Sequence, residues 1–128
     1  MGKKTKNKFD TIETFIGQDT VLNGSLSTEK IIRIDGKMTG NIEKSAGVVI
    51  GDSAFVKGDI NSGFVVVSGT VEGNIVANES VELLNKSKVV GNIQTKMISV
   101  SEGAVFDGRS LMLNIDDNQS TDNKKEAN

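Results

Sequence analysis

VVVSGTVEGNI, Val65 to Ile75, alternates apolar residues with polar or small ones and then turns at Gly73-Asn74. Val65, Val67, Val71 and Ile75 share one parity, so on extended backbone they point to the same side. The turn recurs along the chain. Gly24, Gly40, Gly58, Gly73, Gly91 and Gly108 follow one another at intervals of 16, 18, 15, 18 and 17 residues. Two positions ahead of them stand Leu22, Met38, Val56, Val71, Val89 and Phe106; two positions after them stand Leu26, Ile42, Ile60, Ile75 and Ile93, with Ser110 in the last copy. The residue that follows each glycine is Ser25, Asn41, Asp59, Asn74, Asn92 or Arg109, mostly types that suit a tight corner.

A second apolar pair precedes each of the last five corners: Ile32 and Ile34, Val48 and Ile50, Val65 and Val67, Val81 and Leu83, Ile98 and Val100. Three of these pairs lie ten and eight residues before the glycine, and two lie eight and six before it. A difference of two keeps every apolar residue on the same side of a strand, where a difference of one would turn it outward. In the longer copies Ala54, Ser87 and Ala104 place a small residue on that side. Each repeat therefore reads as two or three short strands joined by turns of Gly, Asp, Ser and Asn. One repeat cannot bury its own apolar side, but coiled repeats stack Ile on Ile and Val on Val.

The expected fold is all-β, a single-stranded parallel β-helix (solenoid) of about six coils. With strands about 4.7–4.9 Å apart, such a rod is only about 25–30 Å long. Glycine at the corner permits a backbone angle or a close approach that a Cβ forbids, and asparagine is expected to form a ladder with its copies. A β-sandwich or barrel also alternates, but it has no reason to repeat one corner six times. A left-handed hexapeptide helix is the closer rival, although intervals of 15, 16 and 17 do not keep a period of six. Handedness does not follow from the residues.

The composition narrows the function. The chain has 128 residues, 36% hydrophobic and 4% aromatic, with 14 glycines and no histidine, cysteine, tryptophan, tyrosine or proline. That length suits one folded unit. Without His or Cys there is no ordinary nucleophile and base pair, no imidazole or thiolate metal site and no disulfide framework. No catalytic, cofactor-binding or metal-binding residue is assigned, and Asp52, Asp59 and Asp107 read as turn residues. A formal net charge of −2 gives no global drive toward nucleic acid. No apolar run approaches the roughly 20 residues that span a bilayer, and no signal-peptide apolar region is present. A cytoplasmic protein is expected, in line with the absence of cysteine.

Three segments are expected: a flexible basic tail over 1–14, the β-helix over 15–113 and a disordered polar tail over 114–128. In the first, Lys3, Lys4, Lys6 and Lys8 together with Phe9 are candidates for contact with an anionic membrane surface, each lysine contributing about 1 kcal/mol near the lipid. Most outward positions are polar, but Val49, Phe55, Val66 and Leu84 form a candidate lateral strip for another rod or a partner protein. A coil stack ends in unpaired strand edges and an exposed apolar cross-section, which monomeric solenoids cover with polar caps. No capping helix is legible at either end of the pattern. The candidate contacts are Phe106, Leu111 and Leu113 at the C-terminal end and Phe15, Ile16 and Leu22 at the N-terminal end, so the rod is expected to associate through its ends into a filament.

TFIG (Thr14 to Gly17), RIDGKMTGNI (Arg33 to Ile42) and VVIGDSAFVKGDI (Val48 to Ile60) resemble the bactofilin family, and the similarity covers roughly Phe15 to Leu113. The resemblance implies a right-handed, triangular β-helix that polymerises end to end, without nucleotide, into nonpolar bacterial filaments in which like ends meet. It implies that an aromatic residue of the last coil, here Phe106, supports the C-terminal contact, and that a short N-terminal segment reaches the inner face of the cell membrane. It also implies a scaffold for cell-wall or flagellar client proteins. The alternative is a monomeric β-helical adaptor that offers its outer face and tails to a protein partner.

Overall fold

The computed structural model describes residues 12–113, and every regular element among them is a β-strand. Coil one holds β1 (Ile12–Ile16), β2 (Val21–Asn23) and β3 (Leu26–Ser27); coil two holds β4 (Ile31–Ile34), β5 (Lys37–Thr39) and β6 (Ile42–Lys44). Coil three consists of β7 (Gly47–Ile50), β8 (Phe55–Lys57) and the first half of β9 (Ile60–Val67), which bends through a corner to open coil four. After β10 (Thr70–Glu72), β11 (Ile75–Leu83) bends in the same way into coil five, which β12 (Lys88–Val90) and β13 (Ile93–Thr95) complete. Coil six is β14 (Ile98–Val100), β15 (Val105–Asp107) and β16 (Ser110–Met112).

Every pairing is parallel and joins a strand to its counterpart one coil away. Three strands per coil give the rod three sides. The β1 side runs through β4, β7 and the later halves of β9 and β11 to β14; the β2 side runs through β5, β8, β10 and β12 to β15; the β3 side runs through β6 and the early halves of β9 and β11 to β13 and β16. This is the parallel solenoid of about six coils that the corners predict. The folded part begins earlier than expected, because β1 starts at Ile12 and Thr14 already pairs with Ile32, within the segment read as a tail over 1–14.

The apolar residues stack by type. On the β1 side Ile32, Val48, Val65 and Val81 form one inward column and Ile34, Ile50, Val67 and Leu83 the next. Met38, Val56, Val71 and Val89 line the β2 side, and Ile42, Ile60, Ile75 and Ile93 the β3 side. All are buried in one continuous cluster. β-Branched chains suit this geometry, since each packs flat on its copy above and below, and each fully buried one contributes about 1.5–3 kcal/mol relative to exposure.

The two-residue length difference falls in the turn between the β1 and β2 sides. Gly51 to Ala54 fills this turn in coil three, whereas Asp35-Gly36 and Ser68-Gly69 suffice in coils two and four. The register Lys37 to Phe55 to Thr70 is kept throughout, and Ala54 and Ser87 occupy the extra inward space as buried residues. The corner between the β3 and β1 sides behaves differently. There the register slips by one between Ala77 and Ser80, and Asn78 and Glu79 stand exposed. At a sharp bend the alternation is already broken, so the extra residue is expelled as a bulge without turning the core outward. In the tighter version of this corner a hydroxyl closes the bend: Ser62 Oγ donates to the Phe64 carbonyl at 2.9 Å and Thr95 Oγ1 to the Met97 carbonyl at 3.3 Å.

At the repeated corner the glycines have positive φ, for example 150° at Gly58, and a Cβ there would overlap the Gly40 carbonyl of the coil before. The residues after the glycines form a ladder from side chain to backbone. Asn41 Oδ1 accepts from the Asp59 amide, Asp59 Oδ1 from Asn74, Asn74 Oδ1 from Asn92 and Asn92 Oδ1 from Arg109, at 2.9 to 3.1 Å. Any residue but proline can donate its amide, but the acceptors here are Asn and Asp, so the ladder stops at Arg109.

Candidate functional site

The two ends of the rod are chemically unfinished. Among the described residues β1, β2 and β3 each pair on one edge only, as do β14, β15 and β16, so three strand edges at either end have no partner there. No element among the described residues folds across them. Unpaired amide and carbonyl groups on such edges are templates for another strand.

The C-terminal cross-section is built by residues that continue the inward columns. Phe106 follows Val89 and is half-buried against the core. Val100 follows Leu83 and Met112 follows Thr95, yet they are 51% and 42% exposed, and no seventh coil lies over them among the described residues. Of the residues expected at this end, Phe106 lies on the cross-section. Leu111 does not: it pairs with Gln94, points outward and is 51% exposed on the flank. Leu113 is half-buried and its amide donates to the Thr95 carbonyl at 2.7 Å. Sequence reasoning missed Val100 and Met112 as end residues, although the parity of the Leu83 column already pointed to Val100.

At the N-terminal end Ile16 and Leu22 head the Ile34 and Met38 columns and Leu26 heads the Ile42 column; Ile16 is buried, and Leu22 and Leu26 are half-buried. Phe15 departs from expectation. It pairs with Arg33, points away from the core and is 63% exposed at the rim of the β1 side.

The outer surface of the β1 side is the most apolar of the three. Val49 and Val66 stand side by side in the column that runs Phe15, Arg33, Val49, Val66, Glu82, and with Leu84 and Phe64 they line a shallow groove. Phe55, expected in the same strip, is instead on the β2 side between Lys37 and Thr70, because the turn after Ile50 carries it round the corner. The segment Arg33-Ile34-Asp35-Gly36 is explained by this side. Ile34 enters the core, while Arg33 grips the Asp35 carboxylate through Nε at 3.0 Å and Nη2 at 3.1 Å. That carboxylate lies over Gly51, and Gly36 lets the Gly17 and Thr20 carbonyls approach.

No group of three or more Asp, Glu, His or Cys among the described residues is placed to hold a metal ion. Lys3, Lys4, Lys6, Lys8 and Phe9, the expected membrane contact, lie outside the described residues, as does the segment 114–128.

Comparison with known proteins points to one family. The bactofilin family model, described as polymer-forming cytoskeletal, matches residues 14–111. Bactofilin BacO of Myxococcus xanthus (strain DK1622) is 36% identical over 95 residues, 74% of this chain and 75% of that protein. Bactofilin BacP of the same organism is 32% identical over 96 residues, 75% of this chain but 40% of its own length. A cryo-EM reconstruction of Thermus thermophilus bactofilin double helical filaments has the same fold, with a TM-score of 0.72 at 24% identity, covering 78% of this chain and 99% of that one. The chain belongs to the bactofilin family of polymer-forming cytoskeletal proteins, which are structural proteins and not enzymes.

Proposed function

We propose that the protein is the subunit of a nonpolar cytoskeletal filament that assembles end to end without nucleotide and serves as a scaffold for membrane- or cell-wall-associated proteins. One observation carries this reading: among the described residues each end leaves three strand edges without a partner around apolar columns, and at the C-terminal end Val100 and Met112 are exposed. Magnitudes favour another copy of the chain as the occupant. A triangle about 15 Å on a side has an area near 100 Å², so covering two of them removes about 200 Å² from water, about 5 kcal/mol. Immobilising a subunit costs about 4–15 kcal/mol. Apolar cover alone is therefore marginal, and the edge hydrogen bonds have to be made as well, which another β-helix end does best. Burial and edge pairing supply this free energy directly, so hydrolysis of a nucleotide is not needed for assembly.

We place the filament in the cytoplasm at the inner face of the membrane, with the lysines of the N-terminal segment on anionic lipid. Purified protein is tested by sedimentation and electron microscopy at physiological salt, with and without nucleotide. Pelleting filaments in both conditions are expected; a protein that stays in the supernatant is the monomeric adaptor instead. Removing residues 1–14 also removes the first residues of β1, so the membrane test removes 1–11 only. Loss of binding to anionic vesicles with filaments intact is the expected result.

A further inference from the structure

The charges on the β1 side are ordered along the rod. From coil two to coil five its outward column reads Arg33, Val49, Val66, Glu82: cation, apolar, apolar, anion. A half-turn about an axis lying in this face and parallel to the strands reverses that order. Two copies laid face to face and antiparallel therefore set Arg33 against Glu82, Val49 against Val66 and Glu82 against Arg33. That is the self-complementarity an isologous contact requires. Laid parallel, the same faces oppose Arg33 to Arg33 and Glu82 to Glu82, which excludes that arrangement.

The rest of the face fits the same contact. Spots without a side chain are filled from adjacent coils, Gly47 by the Phe64 ring and Gly51 by the Asp35 carboxylate, within the shallow groove that Val49, Val66 and Leu84 line. Asp35 occupies Nε and Nη2 of Arg33, leaving Nη1 for a second carboxylate. The other two sides lack this order from coil two to coil five, although on the β2 side Lys57 and Glu72, at coils three and four, would also oppose each other. On the β2 side Lys37 and Lys88 stand at coils two and five, so antiparallel pairing would oppose two lysines. On the β3 side the corresponding residues are Glu43 and Gln94, which offer no cation to answer the acid.

We propose that the β1 side docks a second copy of this chain, belonging to a neighbouring filament and running antiparallel, with Arg33 of each copy on Glu82 of the other. The proposal rests on end-to-end assembly, and the area explains why. A face about 13 Å by 24 Å buries about 300 Å² per copy, about 600 Å² in total, against the roughly 1,000 Å² that a specific interface needs. Isolated subunits do not pair through it. Repetition along two filaments makes the second and later contacts intramolecular, and the sum then holds.

Glu82→Arg changes an exposed side chain and leaves the core untouched. In negatively stained micrographs the wild type is expected to show paired filaments and Glu82→Arg long single ones, with unchanged circular dichroism. Because the chain has no cysteine, the register is read by cross-linking. Filaments co-assembled from Val49→Cys and Val66→Cys proteins are expected to give disulfide-linked dimers on oxidation, and filaments of Val49→Cys alone to give none. Single wild-type filaments, pairs that persist in Glu82→Arg, or cross-links in Val49→Cys alone would each overturn the proposal. Absence of any filament in the wild type would instead refute end-to-end assembly, and this contact with it.

Discussion

Ser87 is 2% exposed and its hydroxyl finds no hydrogen-bond partner among the described residues. The same place in the turn holds Ala54 in coil three and Ala104 in coil six. A buried hydroxyl without a partner forfeits its hydration, so Ser87→Ala is expected to raise stability by about 1 kcal/mol, seen as a higher thermal midpoint at equal concentration. The corner glycines give a contrast of the opposite sign. Gly58 and Gly24 both have positive φ, but a Cβ at Gly58 meets the Gly40 carbonyl while one at Gly24 meets nothing. Gly58→Ala is therefore expected to lose more than about 2 kcal/mol and Gly24→Ala about 1 kcal/mol, the backbone penalty alone; urea unfolding of the two variants checks the order. The need for glycine was legible in the repeat. That coil one is exempt was not, since the reason is that no coil lies beneath it among the described residues.

Turns, as elements, come in two lengths that the strands tolerate because both keep parity. Short turns end in Gly36 or Gly69, each of which lies close to carbonyls of the preceding coil. Deleting Asp52 and Ser53 together with Ala54→Gly should convert the long turn of coil three into a short one and leave the circular dichroism spectrum and the cooperative melt in place. Deleting Ser53 alone should abolish that cooperative melt, because it forces Val56 to face water. The corner between the β3 and β1 sides obeys another rule, accepting a single extra residue as the bulge at Asn78 and Glu79. Strand alternation predicts the first rule from sequence. It is silent on the second, because alternation does not operate within a bend, although a Ser or Thr two residues after the corner isoleucine, as at Ser62 and Thr95, marks the tight form.

For the whole molecule, the ends decide the behaviour. Phe106 is half-buried and packs on the core while bordering the open face. Phe106→Arg is expected to set like charges against each other where two C-terminal ends meet, leaving dimers joined at their N-terminal ends, and Leu22→Arg is expected to do the converse. Sedimentation velocity distinguishes dimers from polymer, and long filaments in both variants would contradict the end assignment. The sequence by itself determined the coil, its register and the identity of the stacked core, because each copy of the repeat reports the parity of the others. Only the tertiary structure decided how far Phe15 and Leu111 stand exposed on the flanks, that Met112 joins Val100 on the C-terminal cross-section, and that Phe55 stands apart from Val49 and Val66. At the ends alternation sets which way a residue points but not whether another coil covers it, and on the outside adjacency depends on which of three sides a residue occupies, a matter of where the chain bends.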